Sequence, residues 1–222
     1  MTLTGNAFLI MWHDIAPEGD AEYNLWHTQE HMPERIDLPG FRRARRGVNR
    51  GAARQVYFTL YEGDGLETFV TPEYQRSLNE PTDWTQRVAP TFRNFIRMVC
   101  RTASTGGRGQ GGALTTLRCV LGGADAPALE DALAALAAIP SVTAVHVGEA
   151  QQDVSARKTT ETALRPAMQE AGFDLVIIVE GIGLAELARD ESLVAAAIEP
   201  LGFADVLIQS YDVAYTLTDV DA

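Results

Sequence analysis

Alternation of apolar and polar positions along the chain predicts short strands, and helical spacing predicts the segments between them. In the first half, strands are expected over 8–14, 41–50, 54–61 and 91–101, with a helix over 20–37 and a helical stretch over 66–80 interrupted at Pro72. That order is βαββαβ. In the second half, strands over 114–121, 142–150, 173–180 and 204–216 and helices over 128–139 and 184–198 give the same order. One additional helix is expected at about 159–171, between the middle strands.

Short matches support a duplication. Tyr61-Glu-Gly-Asp-Gly-Leu66 recurs as Val179-Glu-Gly-Ile-Gly-Leu184, each closing a third strand and opening a helix. Pro39-Gly-Phe41 answers to Pro140-Ser-Val142, and Glu80-Pro81 to Glu199-Pro200. Between the copies, residues 102–113 are rich in Gly, Ser and Thr, a composition that makes flexible linkers. The expected division is a first unit at 1–104, a Gly-rich linker at 105–112 and a second, degenerate unit at 113–222. Gly107-x-Gly109-x-x-Gly112 formally matches a dinucleotide-binding fingerprint, but a strand rather than a helix is expected to follow it, which opposes that reading.

The densest chemistry lies in the first helix, in Tyr23-Asn-Leu-Trp26-His27-Thr-Gln-Glu30-His31. At about 100° per residue, Tyr23, Trp26, His27, Glu30, His31 and Glu34 share one arc. Leu25, Met32 and Ile36 form a narrow apolar stripe opposite. The expected arrangement packs the helix by the aliphatic stripe and leaves the aromatic, ionisable face for a ligand, a partner or water. The corresponding helix of the second half has no aromatic or imidazole side chain; Asp131 and Ala132 stand opposite Glu30 and His31. Packing of such a helix therefore does not require those residues.

Composition narrows the classes. With 222 residues and 46% hydrophobic content, the chain can build a substantial core. Its formal net charge of −12 opposes nonspecific binding to nucleic acid or anionic membrane. Six arginines between Arg42 and Arg54 concentrate positive charge, but without the aromatic pattern of an RNA-binding surface. Cys100 and Cys119 are the only cysteines and have no metal-ligand spacing, which fits a reducing compartment. The apolar run Ala7–Trp12 is too short for a signal-peptide core, and no stretch approaches the ~18 residues of a membrane span. A cytoplasmic protein is expected, and the scarcity of lysine suggests a GC-rich bacterial genome.

A βαββαβ unit carrying Trp-His-x-x-Glu-His, then Pro-Gly-Phe and an Arg-rich strand, resembles the dimeric α/β-barrel superfamily, particularly its EthD-like and stress-responsive branches. The likeness covers the first half by motif and the second by layout. It implies an α+β fold in which two tandem ferredoxin-like units, with antiparallel sheets, form a pseudo-dimeric barrel. It further implies a pocket between sheet and helices, often with a histidine, in a superfamily that includes cofactor-independent monooxygenases, cyclases, lactone isomerases and haem-degrading enzymes. Fold alone does not choose among these.

His31 is the expected acid/base group, with Glu30 and His27 supporting it, since histidine titrates near neutrality and a carboxylate one turn away orients or charges it. Tyr23 and Trp26 would supply an aromatic wall, and His13 at the end of the first strand would border the same cleft. Of the arginines, Arg43 and Arg45 point to one face and Arg42 and Arg46 to the other. Arg43 and Arg45 are the candidates to hold a carboxylate or enolate, with ion pairing to acidic neighbours as the favoured alternative. His146 is expected in the core.

His27-x-x-Glu30-His31 also matches the inverted zinc-protease pattern. That architecture needs a distant third ligand and a larger cleft, so no metal and no cofactor are expected; haem has no support in the residues. Two functional readings remain open. One is a barrel that binds a small aromatic or polyketide-like metabolite, with acid/base catalysis of the cyclase, isomerase or cofactor-free monooxygenase type. The other is a non-catalytic binding or oligomeric assembly module. The partner expected is a small-molecule ligand, not nucleic acid or membrane, and a homodimer is compatible with either reading.

Overall fold

Strands form where the alternation places them, with bounds shifted by a few residues. The structure, a computed structural model, describes residues 3–122, 126–165 and 172–219. In the first half, β1 (Ala7–Ile15) is followed by α1 (Asp20–Trp26), a π-helical turn (His27–His31), α2 (Met32–Ile36), β2 (Phe41–Val48), β3 (Tyr57–Gly63), α3 (Pro72–Asn79), α4 (Asp83–Val88) and β4 (Phe92–Gly107). Then come β5 (Ala113–Val120), α5 (Ala126–Ala137), β6 (Val142–Ala150), α6 (Gln152–Ser155), α7 (Thr160–Leu164), β7 (Leu175–Gly181), α8 (Leu184–Arg189), α9 (Glu191–Ile198) and β8 (Asp205–Thr218).

Two compact units do not follow the halves of the chain. The first takes the described residues of 4–101, 151–171 and 214–222, and the second those of 1–3, 102–150 and 172–213. In the first unit the antiparallel strand order is β4-β1-β3-β2. In the second it is β8-β5-β7-β6. The two units share an irregularity: β2 is bulged between Phe41 and Arg43 against β3, and β6 between Val142 and Ala144 against β7. Consequently Arg43 stands opposite Glu62, and Ala144 opposite Glu180.

Alternation gives the first unit's sheet two apolar faces. Leu9, Met11, Ala44, Tyr57 and Tyr61 pack with Tyr23, Trp26, Met32 and Ile36 of the helices. Phe8, Ile10, Trp12, Phe58 and Leu60, on the alternate positions, are also fully buried.

Three expectations are corrected here. The aromatic side of the first helix is buried along with most of the apolar stripe: Tyr23, Trp26, His27 and His31 are at most 3% exposed, Met32 and Ile36 are buried as expected, and Leu25 of that stripe is 53% exposed. The reason is that the sheet beneath presents tyrosines and a histidine, so the flat rings, not the leucine, match its surface. Second, the Gly-rich segment is not a free linker, because β4 runs through Gly107. Gly107 lies at φ +109, and a Cβ there or at Gly111 would meet a backbone carbonyl oxygen at 2.4 or 2.2 Å, so these glycines permit close backbone approach. Third, the additional helix is the short α7, and residues 166–171 of the expected span lie outside the described residues. With α6 it joins the first unit rather than the second: the Gln151 N–H donates to the Val99 carbonyl, and the Val99 N–H to Ser155 Oγ.

Helix α4 was not expected from spacing, although Thr82 caps it by accepting the Thr85 N–H at 3.0 Å. Among the described residues, no helix is long and apolar enough to cross a membrane. At the Pro39-Gly40-Phe41 junction, Gly40 has φ +87, and a Cβ would lie 2.7 Å from Thr68 Oγ1. Gly40→Ala is therefore expected to cost about 1–2 kcal/mol of stability, read as a lower urea midpoint with an unchanged slope.

Candidate functional site

The helix that carries the histidines changes pitch where they stand. The Met32 N–H donates to the His27 carbonyl, five residues back, so the turn from His27 to His31 is π-helical. Such turns are rare and concentrate at functional sites. The wider turn sets residues four apart more nearly above one another, and the His27 and His31 rings lie 5.7 Å apart at 30°.

They form part of a longer column. The His13 ring from β1 meets Tyr23 at 5.2 Å, Tyr23 stacks on His27 at 5.2 Å, and His31 stacks on Trp26 at 4.2 Å. His13 is further enclosed by Tyr57 and Phe92. Trp26 is anchored by donating Nε1–H to Thr85 Oγ1 at 3.2 Å. Of the expected ligand-binding residues, Tyr23, Trp26 and His13 are thus brought together with His27 and His31, but as a buried column rather than an open wall.

All three imidazoles have pKa values well below the ordinary histidine range. Burial is the largest cause for each. For His31 the Arg35 and Arg165 guanidiniums come next, and for His27 it is His31, then Arg46. They are neutral at pH 7, the reverse of an imidazole charged by a nearby carboxylate. His27 Nδ1 lies 3.4 Å from Arg46 Nη1, and its Nε2 lies 3.4 Å from the Tyr61 hydroxyl. Because guanidinium only donates, Nδ1 is the acceptor and Nε2 carries the hydrogen toward Tyr61, an assignment inferred from the network.

Glu30 does not support either histidine. Its Oε1 accepts from Thr82 Oγ1 at 2.6 Å, at the start of α4. Glu34 accepts from Ser77 Oγ at 2.7 Å and lies 3.1 Å from Arg35. With Glu30 turned away, the His-x-x-Glu-His constellation is not assembled; among the described residues, no three His, Cys, Asp or Glu side chains converge to hold a metal ion.

Arg43 and Arg45 lie on the other face of the sheet from the histidines. Arg43 makes a two-pronged pair with Glu62, at 2.8 Å for each prong, and Arg45 Nη2 lies 3.1 Å from the same carboxylate. Ion pairing accounts for them. His146 of the second unit is likewise buried, 3.0 Å from Glu180 and 2.8 Å from Thr105 Oγ1.

One end of the column opens on a small cavity. Its lining includes His31 and Arg35 from the helix, Leu9, Met11 and Tyr61 from the sheet, Tyr74 from α3, and Glu161 and Arg165 from the α7 region. His31 Nδ1 and Arg165 Nε are buried without a hydrogen-bond partner among the described residues. Glu161 Oε2 is 2.6 Å from Arg35 Nη2, and Glu161 also pairs with Arg165. Burial works to raise the Glu161 pKa, but Arg165, Arg35 and Arg97 overcome it, so the carboxyl is held below its ordinary range. The Arg165 guanidinium lies over the Phe92 and Phe95 rings at 5.1 and 4.8 Å. The space left is about 20 Å³, room for a water molecule.

Sequence reasoning missed Arg35, Arg46, Tyr61, Glu161 and Arg165. Two signals were present: Arg35 stands four residues after His31, one turn along the same helix, and Glu161 and Arg165 share that spacing.

The fold is of the dimeric α/β-barrel type, in the α+β class with two ferredoxin-like units. In structure the chain is similar to an anthrone oxidase-like protein, at 12% identity and a TM-score of 0.59, covering 97% of this chain and 93% of that one. It is also similar to a candidate monooxygenase from Fusobacterium nucleatum, at 9% identity and 0.59, covering 97% and 96%. A third, from Lactobacillus acidophilus, matches at 11% identity and 0.57, covering 97% of each chain. No family profile matches the chain, and no curated protein matches it in sequence.

Proposed function

We propose that the first unit binds a small planar organic molecule at the cavity beside His31, which widens as side chains that now fill it move aside, and that His31 takes a proton from an acidic hydroxyl of it, a phenol or an enol. The observation that carries this reading is the buried Nδ1 of His31, unpartnered among the described residues, on the wall of a cavity lined by Arg35 and Arg165. A buried polar atom without a partner is costly, and a ligand that supplies the partner removes that cost.

The proton balance is simple. The ligand O–H bond breaks, its electron pair stays on oxygen, and the proton forms the new N–H bond at Nδ1. In the unliganded site the imidazolium is opposed by burial and by Arg35 and Arg165. A phenolate or enolate beside those guanidiniums reverses part of that opposition, so the imidazole becomes a better base as the anion forms. Tyr61, whose hydroxyl burial holds in the protonated form, is a second hydrogen-bonding group on the same wall. His27, Tyr23 and Trp26 position His31 and do not reach the cavity.

The fold shared with an anthrone oxidase-like protein and with candidate monooxygenases is compatible with a small organic ligand. We further propose a bacterial cytoplasmic location, on the scarcity of lysine and cysteine in the chain.

The test uses 4-nitrophenol, whose ionised form absorbs visibly. Below the pH at which the free compound ionises, the protein is expected to increase the phenolate band, and His31→Ala to abolish that increase while keeping the far-UV spectrum of the folded protein. An increase of equal size in His31→Ala would refute the role of His31.

A further inference from the structure

The cavity is already filled by one of the chain's own acids. Its lining includes four arginines, Arg35, Arg97, Arg157 and Arg165, against a single carboxylate, Glu161. That is a local excess of positive charge in a protein with a formal net charge of −12. Glu161 is 1% exposed and reaches between Arg35 and Arg165, while Arg165 Nε still lacks a partner among the described residues. Guanidiniums in a fork arrangement suit a planar carboxylate, and the Tyr61, Phe69 and Tyr74 rings on the cavity lining suit a flat body beside it.

We propose, resting on the reading that this cavity is the ligand site, that its ligand is an aromatic carboxylate whose carboxyl group takes the place Glu161 now holds between Arg35 and Arg165. Glu161 is then an internal competitor. The space left beside Glu161, about 20 Å³, does not admit an aromatic ring, and room is made when the Glu161 side chain swings out while Arg35 and Arg165 stay to hold the ligand.

The attachment of the segment is compatible with such movement. Helix α7 has five residues, and its start is tied to α3 through the Thr160 N–H on Asn79 Oδ1 at 3.2 Å. It lies between β6 and β7 in the chain, away from the strands that fix the first unit's sheet. The displaced Glu161, once in water, no longer bears the desolvation that opposes its charge, and the arginines exchange one carboxylate for another, so no buried charge is left unpaired.

The experiment compares 4-nitrobenzoate with 4-nitrobenzamide, which match in size and differ in charge, on the full-length wild type, Glu161→Gln and Glu161→Ala. Removing the internal carboxylate is expected to tighten nitrobenzoate at least tenfold relative to nitrobenzamide. Glu161→Gln keeps the side-chain volume and so separates loss of charge from gain of space. Where Glu161→Ala folds poorly, nitrobenzoate is expected to raise the melting temperature of Glu161→Gln more than that of wild type. Equal changes for both probes, or weaker nitrobenzoate binding in the variants, would overturn the proposal. Should nitrobenzamide bind with dependence on His31 while nitrobenzoate gains nothing, only this inference fails. If neither probe binds any variant, the ligand-site reading fails with it.

Discussion

Acidification from pH 7 to pH 5 is expected to destabilise the protein steeply, at a pH where carboxylates are still largely ionised. His13, His27 and His31 are at most 3% exposed, and their pKa values are all well below the ordinary range. In the unfolded chain the same imidazoles titrate near about 6.5. Between those limits the unfolded state binds protons that the folded state does not, so unfolding free energy falls as pH falls. Each such group contributes about 1.4 kcal/mol per pH unit, and three together roughly 4 kcal/mol per unit. Glu161, held below its ordinary range when folded, adds a further loss at lower pH, as protons reach its carboxyl. The urea midpoint is expected to be nearly flat above pH 7 and to fall progressively below pH 6.5. A midpoint unchanged down to pH 5 would show that these rings accept protons in place.

Truncating Glu62 has the largest expected effect of any single substitution. Its carboxylate is fully buried on β3 and meets Arg43 through two contacts of 2.8 Å and Arg45 at 3.1 Å. It also accepts the Thr4 N–H at 2.7 Å and the Thr4 hydroxyl at 2.9 Å. Glu62→Ala removes the anion and leaves the guanidiniums charged, since arginine does not deprotonate in proteins. The expected loss is about 3–5 kcal/mol, enough to unfold many domains. The corresponding position of the second unit supplies the control. Glu180 faces one imidazole, His146, and the Gly111 N–H rather than two guanidiniums, so Glu180→Ala strands no arginine charge and is expected to cost less. Denaturant titration of both variants tests the difference, and equal losses would contradict it.

The parts of the fold carried by local pattern were readable from the chain. Strand positions followed alternation, and Tyr61-Glu-Gly repeated as Val179-Glu-Gly marked the duplicated β3 and β7 down to the buried glutamates Glu62 and Glu180. What local pattern does not carry was missed. A five-residue motif gives no sign of the i→i+5 bond that makes His27–His31 a π turn, and helical-wheel reasoning at a fixed pitch placed Met32 and Ile36 inward correctly but left the aromatic face outside. Glu161 reaches Arg35 across 126 residues of sequence, so the pair that fills the cavity has no local signature. Glu30 was assigned by its spacing to His31, whereas the hydroxyl of Thr82 decides its direction. The Gly-rich stretch was misread because glycine serves flexibility and close packing alike, and only the neighbouring strand tells them apart.

The central claim is that the neutral, buried imidazole of His31 faces the ligand and receives its proton. Nitrogen-15 NMR of the histidine side chains, recorded at pH 7 with and without saturating 4-nitrophenol, measures this directly. The His31 nitrogens are expected to show a neutral ring in the free protein and an imidazolium in the complex, with His146 unchanged. A His31 ring that stays neutral and unshifted while the ligand is bound would contradict the claim.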